Sequence, residues 1–230
     1  MNISISFTLN GMEQEIHPTV ITTLIIVLFL SIMAVVINKK LKKVDFRENP
    51  KGLLLIAEIF VESIEKLTTE VMGKKNLYFA PYIGTLALFL AFANLSGLLG
   101  FAPPTSDYNV TLALSIMTFV MIHYNNIKFN GIKSYLKGFF EPLPLLFPIN
   151  LLGDIATPVS LSFRLFGNIL SGVIIMSLLY SGLSAISVFL IPFVAPVFHA
   201  YFDVFSGLLQ TFIFIMLTMV FIAGAIGEDE

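Results

Sequence analysis

Arg164 stands in Ser160-Leu161-Ser162-Phe163-Arg164-Leu165-Phe166-Gly167-Asn168, deep inside an apolar stretch. A guanidinium does not shed its proton in a protein. Holding one in mid-membrane costs about 3 kcal/mol on insertion scales. Two roles fit such a residue: a structural ion pair within the protein, or a fixed cation on an ion path. Spacing favours the second. Ser160, Arg164, Asn168 and Ser171 recur at i, i+4, i+8 and i+11, one face of a helix. Further on, His199, Asp203, Ser206 and Gln210 recur at i, i+4, i+7 and i+11. Before Arg164, Asn150, Asp154 and Thr157 form a third stripe. A single Ser or Thr in a membrane helix satisfies itself on its own backbone. An aligned His, Asp and Gln instead suits a hydrated or proton-conducting lining, with bonding between helices as the alternative.

The segments that carry these side chains have the composition of a membrane protein. Of 230 residues, 57% are hydrophobic and only 12% charged, with a mean hydropathy of +0.90. Soluble domains carry about 25% charged residues, so too little polar side chain is present to cover a surface in water. A disordered chain, a secreted disulfide scaffold and a nucleic-acid binder are excluded. Cysteine is absent, which removes thiolate metal sites, and no cofactor or resident metal is expected.

A helix crossing the hydrocarbon needs about 20 apolar residues. The first span is 19–37, with Glu13 and Glu15 before it and Lys39, Lys40, Lys42, Lys43 and Arg47 after it. That order is the reverse of a cleavable signal peptide. Residues 53–72 place Glu58, Glu62, Lys66 and Thr69 on one stripe of an apolar helix, expected to lie on the cytoplasmic surface or against a partner helix. The second span, 76–101, ends in the turn Pro103-Pro104-Thr105-Ser106-Asp107, and 109–126 returns to a basic loop with Lys128, Lys133 and Lys137. Two overlong apolar segments follow, 143–182 with Arg164 and 187–226 with Asp203. Thirty helical residues cover about 45 Å against about 30 Å of hydrocarbon. These helices must tilt or kink, and Pro158 and Pro196 are natural bends. The expected fold is an all-α polytopic membrane protein forming one embedded domain over 1–230. It has about five transmembrane helices and one amphipathic interfacial helix, the last two spans being long and strongly tilted.

Lys and Arg fall on one set of loops, which orients the N-terminus outside and the C-terminus, with Glu228-Asp229-Glu230, in the cytoplasm. Asp154 and Ser160 then belong to the cytoplasmic half of the membrane, and Asn168, His199 and Asp203 to the outer half. Arg164 stands between two half-paths. A plain channel has no use for a central cation, whereas a device that loads a moving carrier on one side and unloads it on the other does.

These residues resemble subunit a of the F-type ATP synthases. Pro158-Val159-Ser160-Leu161 with Arg164-Leu165-Phe166-Gly167-Asn168 is similar to the family signature, and Gln210-Thr211-Phe212-Ile213-Phe214 to its second motif. Asp107-Tyr108-Asn109-Val110-Thr111 resembles the outer loop that opens a span. The resemblance implies an ion-translocating, non-catalytic stator subunit in a bacterial cell membrane. It packs against a ring of c subunits, each with an ion-binding carboxylate, and partners the peripheral-stalk b subunits and membrane lipid. Arg164 is then the stator arginine. Asn168 and Gln210 lie near it on the outer path, Asp203 takes the place of an outer-channel His or Glu, and Asp154 that of a cytoplasmic-side acid. The chain departs from several relatives in having Val173 where they carry a Glu or His, so the outer relay leans on Asp203 with His199. No G-x-x-x-x-G-K-[ST] run is present, so no nucleotide site is expected on this chain.

Two other classes fit the residues less well. An intramembrane aspartyl protease would use Asp154 and Asp203 as a dyad, but Leu151-Leu152-Gly153-Asp154 lacks the Gly-x-Gly-Asp pattern and Arg164 has no part in it. A secondary transporter accounts for broken helices, but no pair of inverted halves is evident.

Overall fold

The computed structural model describes residues 5–9, 12–43 and 51–227. Arg47 of the basic cluster and the acidic end Glu228-Asp229-Glu230 lie outside the described residues. A short antiparallel hairpin, β1 (Ile5–Leu9) with β2 (Met12–Ile16), precedes the helices. Among the described residues, five stretches are long and apolar enough to cross a membrane: Pro18–Leu41, Lys74–Leu99, Tyr108–Gly138, Pro144–Ile186 and Val188–Ile226. The hairpin has no counterpart in the reading from sequence, because five-residue strands leave little periodicity to detect.

Helix α1 (Pro18–Leu41) starts with Pro at its first position, where the missing N–H costs nothing. Its buried residues, Thr19, Thr22 and Ile26, all lie in its first half. Its second half stands away from the bundle and leaves an apolar cleft of about 640 Å³ against α2 (Leu53–Met72) and α3 (Ala80–Leu95), lined by Leu30, Ile37, Phe60 and Leu88 among others. The amphipathic α2 buries Ile64, Thr68 and Met72 and keeps Glu58, Glu62 and Lys66 exposed. It docks on α3 at Gly84, where the Ile64 and Phe60 side chains lie at van der Waals distance from the position a Cβ would take.

Helix α4 (Tyr108–Gly138) corrects the expected basic loop. The hydropathy falls after residue 126, but the backbone stays helical through Lys128 and breaks only at Gly131, with φ 79° and ψ 154°. Polarity ends a span; it does not by itself end a helix, and Ile127-Lys128-Phe129-Asn130 holds no Gly or Pro to break one. The break at Gly131 needs a residue free of a Cβ. It folds Tyr135 back to His123, twelve positions earlier, where the hydroxyl and Nδ1 are 3.0 Å apart.

Helix α5 (Phe147–Ile186) runs for 40 residues with Pro158 inside it, about 60 Å of helix against about 30 Å of hydrocarbon. After a short turn, α6 (Ile191–His199) leads into a π-helical stretch, Ala200–Ser206, and then α7 (Gly207–Ile226). The last segment is therefore not one uniform helix, as its apolar run suggested. The core lies between α2, α3, α4, α5 and α7, around Ile83, Leu90, Leu165, Phe214, Met219 and Ile222. A seam of small hydroxyl residues lets the helices approach closely: Thr111, Ser115 and Thr118 on α4, Ser162 on α5, and Thr211 and Thr218 on α7 are all buried. Ser115, Ser162 and Thr211 satisfy themselves on carbonyls of their own helix.

Candidate functional site

The loop between α3 and α4 closes one end of the bundle. Asp107 caps α4 by accepting from the Asn109 N–H at 2.9 Å, and its other oxygen accepts from the Thr19 hydroxyl at 3.0 Å. Beneath it, Asn94 is 2% exposed and uses its whole carboxamide. Its nitrogen donates to the Gly207 carbonyl at 2.9 Å and to Thr211 Oγ1 at 3.1 Å, and its oxygen accepts from Thr105 at 2.8 Å. This ties the loop to α7. Glycine at 207 allows this close approach, since a Cβ there would sit 3.1 Å from the Asn94 Cβ and push it aside by a few tenths of an ångström.

Under this loop opens a cavity of about 370 Å³. Asn168, Val173 and Tyr180 of α5 line it, with His199, Phe202 and Asp203 of the last segment and Gly97 and Ser106 of the loop. Asn168, Tyr180, His199 and Asp203 in its lining are hydrogen-bonded. Ser206 donates to Asn168 Oδ1 at 3.0 Å, linking the π stretch to α5. His199 Nδ1 is hydrogen-bonded to Asp203 Oδ2, and the Tyr180 hydroxyl lies 2.8 Å from His199 Nε2.

A second cavity, of about 210 Å³, lies along the same face of α5 nearer its N-terminal end. It is lined by Gly153, Thr157, Ser160, Leu161 and Arg164 of α5 and by Leu217 and Phe221 of α7. The two cavities share no lining residue. On α5, Leu165, Phe166 and Gly167 separate them. Leu165 is fully buried, and Phe166 packs edge-on against the Tyr108 ring with centroids 5.7 Å apart. From Arg164 to Asn168 the rise is about 6 Å. Arg164 itself is exposed on the bundle surface. Among the described residues it makes no ion pair or side-chain hydrogen bond, and the structural ion pair weighed above is not found there.

Of the residues singled out from spacing, Thr157, Ser160 and Arg164 share one cavity and Asn168, His199 and Asp203 the other. Asp154 and Gln210 line neither. Ten residues of α-helix turn Asp154 roughly 80° from Arg164, so Gly153, Thr157 and Ser160 line the cavity in its place. Asn150 instead donates to the Phe139 and Glu141 carbonyls and pins the preceding turn. Gln210 is 5% exposed, and its Nε2 finds no partner among the described residues. The π stretch between Asp203 and Gln210 changes the residues per turn, so the i+7 count no longer aligns them. Tyr180 and Asn94 were missed. The available signal for Tyr180 was its place two turns beyond Val173 on one face of α5.

The sequence also has clear relatives. The family model described as ATP synthase A chain matches residues 19–223. The sodium-ion-specific ATP synthase subunit a of Propionigenium modestum is 39% identical over 92% of this chain and 75% of its own length. ATP synthase subunit a of Nitrosospira multiformis is 33% identical over 94% of this chain and 82% of its own. That of Moorella thermoacetica is 32% identical over 90% of each. By the length and depth of these matches, the chain belongs to the ATP synthase A chain family.

Proposed function

We propose that this subunit is the membrane stator of a rotary ATP synthase and that its two cavities are offset half-channels against a ring of c subunits. The observation that carries this reading is Arg164, exposed beside one cavity, without an ion pair among the described residues, and set apart from the other cavity by packed side chains. A permanent cation on an apolar surface calls for a partner carboxylate from outside the chain. An ion enters through the cavity of Asn168, His199 and Asp203 and neutralises a ring carboxylate. The neutral site crosses lipid at low cost as the ring turns. It then meets the cavity of Ser160 and Thr157 and loses its ion there. Arg164 favours the ionised carboxylate by opposite-charge attraction and prevents direct passage between the two cavities. Each charge crossing 100 mV supplies about 2.3 kcal/mol, so several crossings are coupled to each ATP. The chain moves ions and performs no chemistry on the nucleotide.

The apolar cleft between α1, α2 and α3 supports a seat for a membrane helix of the peripheral-stalk b subunits. The clustered lysines support an orientation in a bacterial cell membrane with α1 starting outside and α7 ending in the cytoplasm. Cysteines placed at positions 107 and 133 test that orientation: position 107 should react with an impermeant maleimide from outside and position 133 from inside, and the reverse pattern inverts the topology.

Purification separates this function from a transporter. The tagged subunit, extracted in mild detergent, should bring down the c ring in stoichiometric amount and move no ions when reconstituted alone. Ion flux by the isolated chain would overturn the stator reading.

A further inference from the structure

His199 is held at both ring nitrogens, and with Asp203 ionised and the ring neutral the two partners fix one arrangement of protons. A carboxylate only accepts, so Nδ1 carries the hydrogen facing Asp203. In the neutral ring Nε2 is then a bare acceptor, and the Tyr180 hydroxyl, 2.8 Å away, is its donor. Tyr180 comes from α5, whereas His199 and Asp203 come from the last segment. All three line one cavity, in which Asp203 is the one carboxylate and His199 the one imidazole among the described residues. No other titratable or charged side chain lines it. Val173, on the same face of α5, offers no proton carrier.

We propose that Tyr180 is the positioning residue of this inlet, fixing the tautomer of His199 so that Nδ1–H faces Asp203 and a proton arriving in the cavity is carried through the imidazole to that carboxylate. This rests on the reading of the cavity as the outer half-channel. A hydronium at the cavity wall gives a proton to the Tyr180 oxygen as the original hydroxyl proton passes to Nε2. The Nδ1–H bond breaks toward Asp203, which becomes a neutral acid. One positive charge has entered and one carboxylate charge is cancelled, while phenol and imidazole end neutral. When Asp203 releases its proton inward, exchange with cavity water returns the ring to its Nδ1–H form. Without the phenol the ring is free to take either tautomer, and in the Nε2–H form its Nδ1 lone pair faces the carboxylate with nothing to donate.

The experiment uses vesicles carrying the whole synthase with Tyr180→Phe, His199→Ala, and both together. Tyr180→Phe removes one oxygen and keeps the ring. It should assemble normally and slow ATP synthesis driven by an outer proton excess about tenfold, the scale on which imidazole orientation matters at other sites. The double variant should be no slower than His199→Ala alone. Imidazole ¹⁵N shifts should report one Nδ1–H tautomer for His199 in the parent and a mixture in Tyr180→Phe. Additive slowing, an unchanged tautomer, or synthesis driven by sodium with no response to protons in the parent would each overturn the proposal. Arg164→Ala in the same vesicles separates the two failures: its loss of pumping upholds the stator reading whatever Tyr180 does, and its retention defeats that reading instead.

Discussion

Arg164→Ala abolishes ATP-driven ion pumping by the assembled synthase while the subunit still folds and joins the complex. Both halves of that expectation come from the geometry. The guanidinium is exposed and, among the described residues, bonded to nothing in its own chain, so its removal breaks no internal contact. It also relieves the cost of a charge on an apolar surface, about 3 kcal/mol at mid-membrane. Loss of function is therefore not loss of fold. An opposite charge within a few ångströms moves a carboxylate by about one to three pK units, which is about 1.4 to 4 kcal/mol. Without it a ring carboxylate passing between the two cavities keeps its ion, and ATP hydrolysis turns the ring without net transport. Arg164→Lys keeps the charge but loses the planar fork, and retains only part of the pumping. The measurement is quenching of an internal pH or sodium dye on adding ATP, beside subunit stoichiometry in the purified complex. Pumping at the parental rate in Arg164→Ala would remove this residue from the mechanism.

Much of this arrangement was legible in the residues because the membrane imposes so few solutions. Within hydrocarbon only a helix satisfies its own backbone, so apolar length alone marks the spans, and Arg164 stands out against them. The α2 helix was legible from its charge stripe, since a helix packed on one side only must separate its faces. The details that escaped are those set by tertiary geometry. The π stretch at Ala200–Ser206 leaves no period of its own in seven residues, and it displaced Gln210 from the cavity that an ideal helix would give it. The turn at Gly131 that returns Tyr135 to His123 depends on one glycine among many. Asn94, bonded to groups 11, 113 and 117 positions away, carries no local signature at all. Tyr180 read as one more aromatic in an apolar run until His199 was seen beside it.

Asp203→Asn slows ion entry from the outer side about a hundredfold, the lower range for losing a positioned proton-transfer group, and leaves assembly intact. The amide matches the carboxylate in shape and its oxygen still accepts from His199 Nδ1, so the surroundings have no reason to move. Gly97 lies close by, with its Cβ position 3.9 Å from the Asp203 carboxyl carbon, and tolerates an isostere. What the amide lacks is the capacity to take up a proton and become neutral. Asp203 lines one cavity and not the other, which makes the defect sided. Raising the ion concentration on the outer face should recover part of the rate of gradient-driven ATP synthesis, because entry has become limiting. Raising it on the inner face should not, because the cavity of Ser160 and Thr157 is untouched. A general weakening of the bundle would depress synthesis under both conditions alike and lower the yield of complex. Equal sensitivity to the two faces, or flux unchanged from the parent, would place Asp203 off the path and leave Asn168 and its bond to Ser206 as the polar elements on which the outer cavity depends.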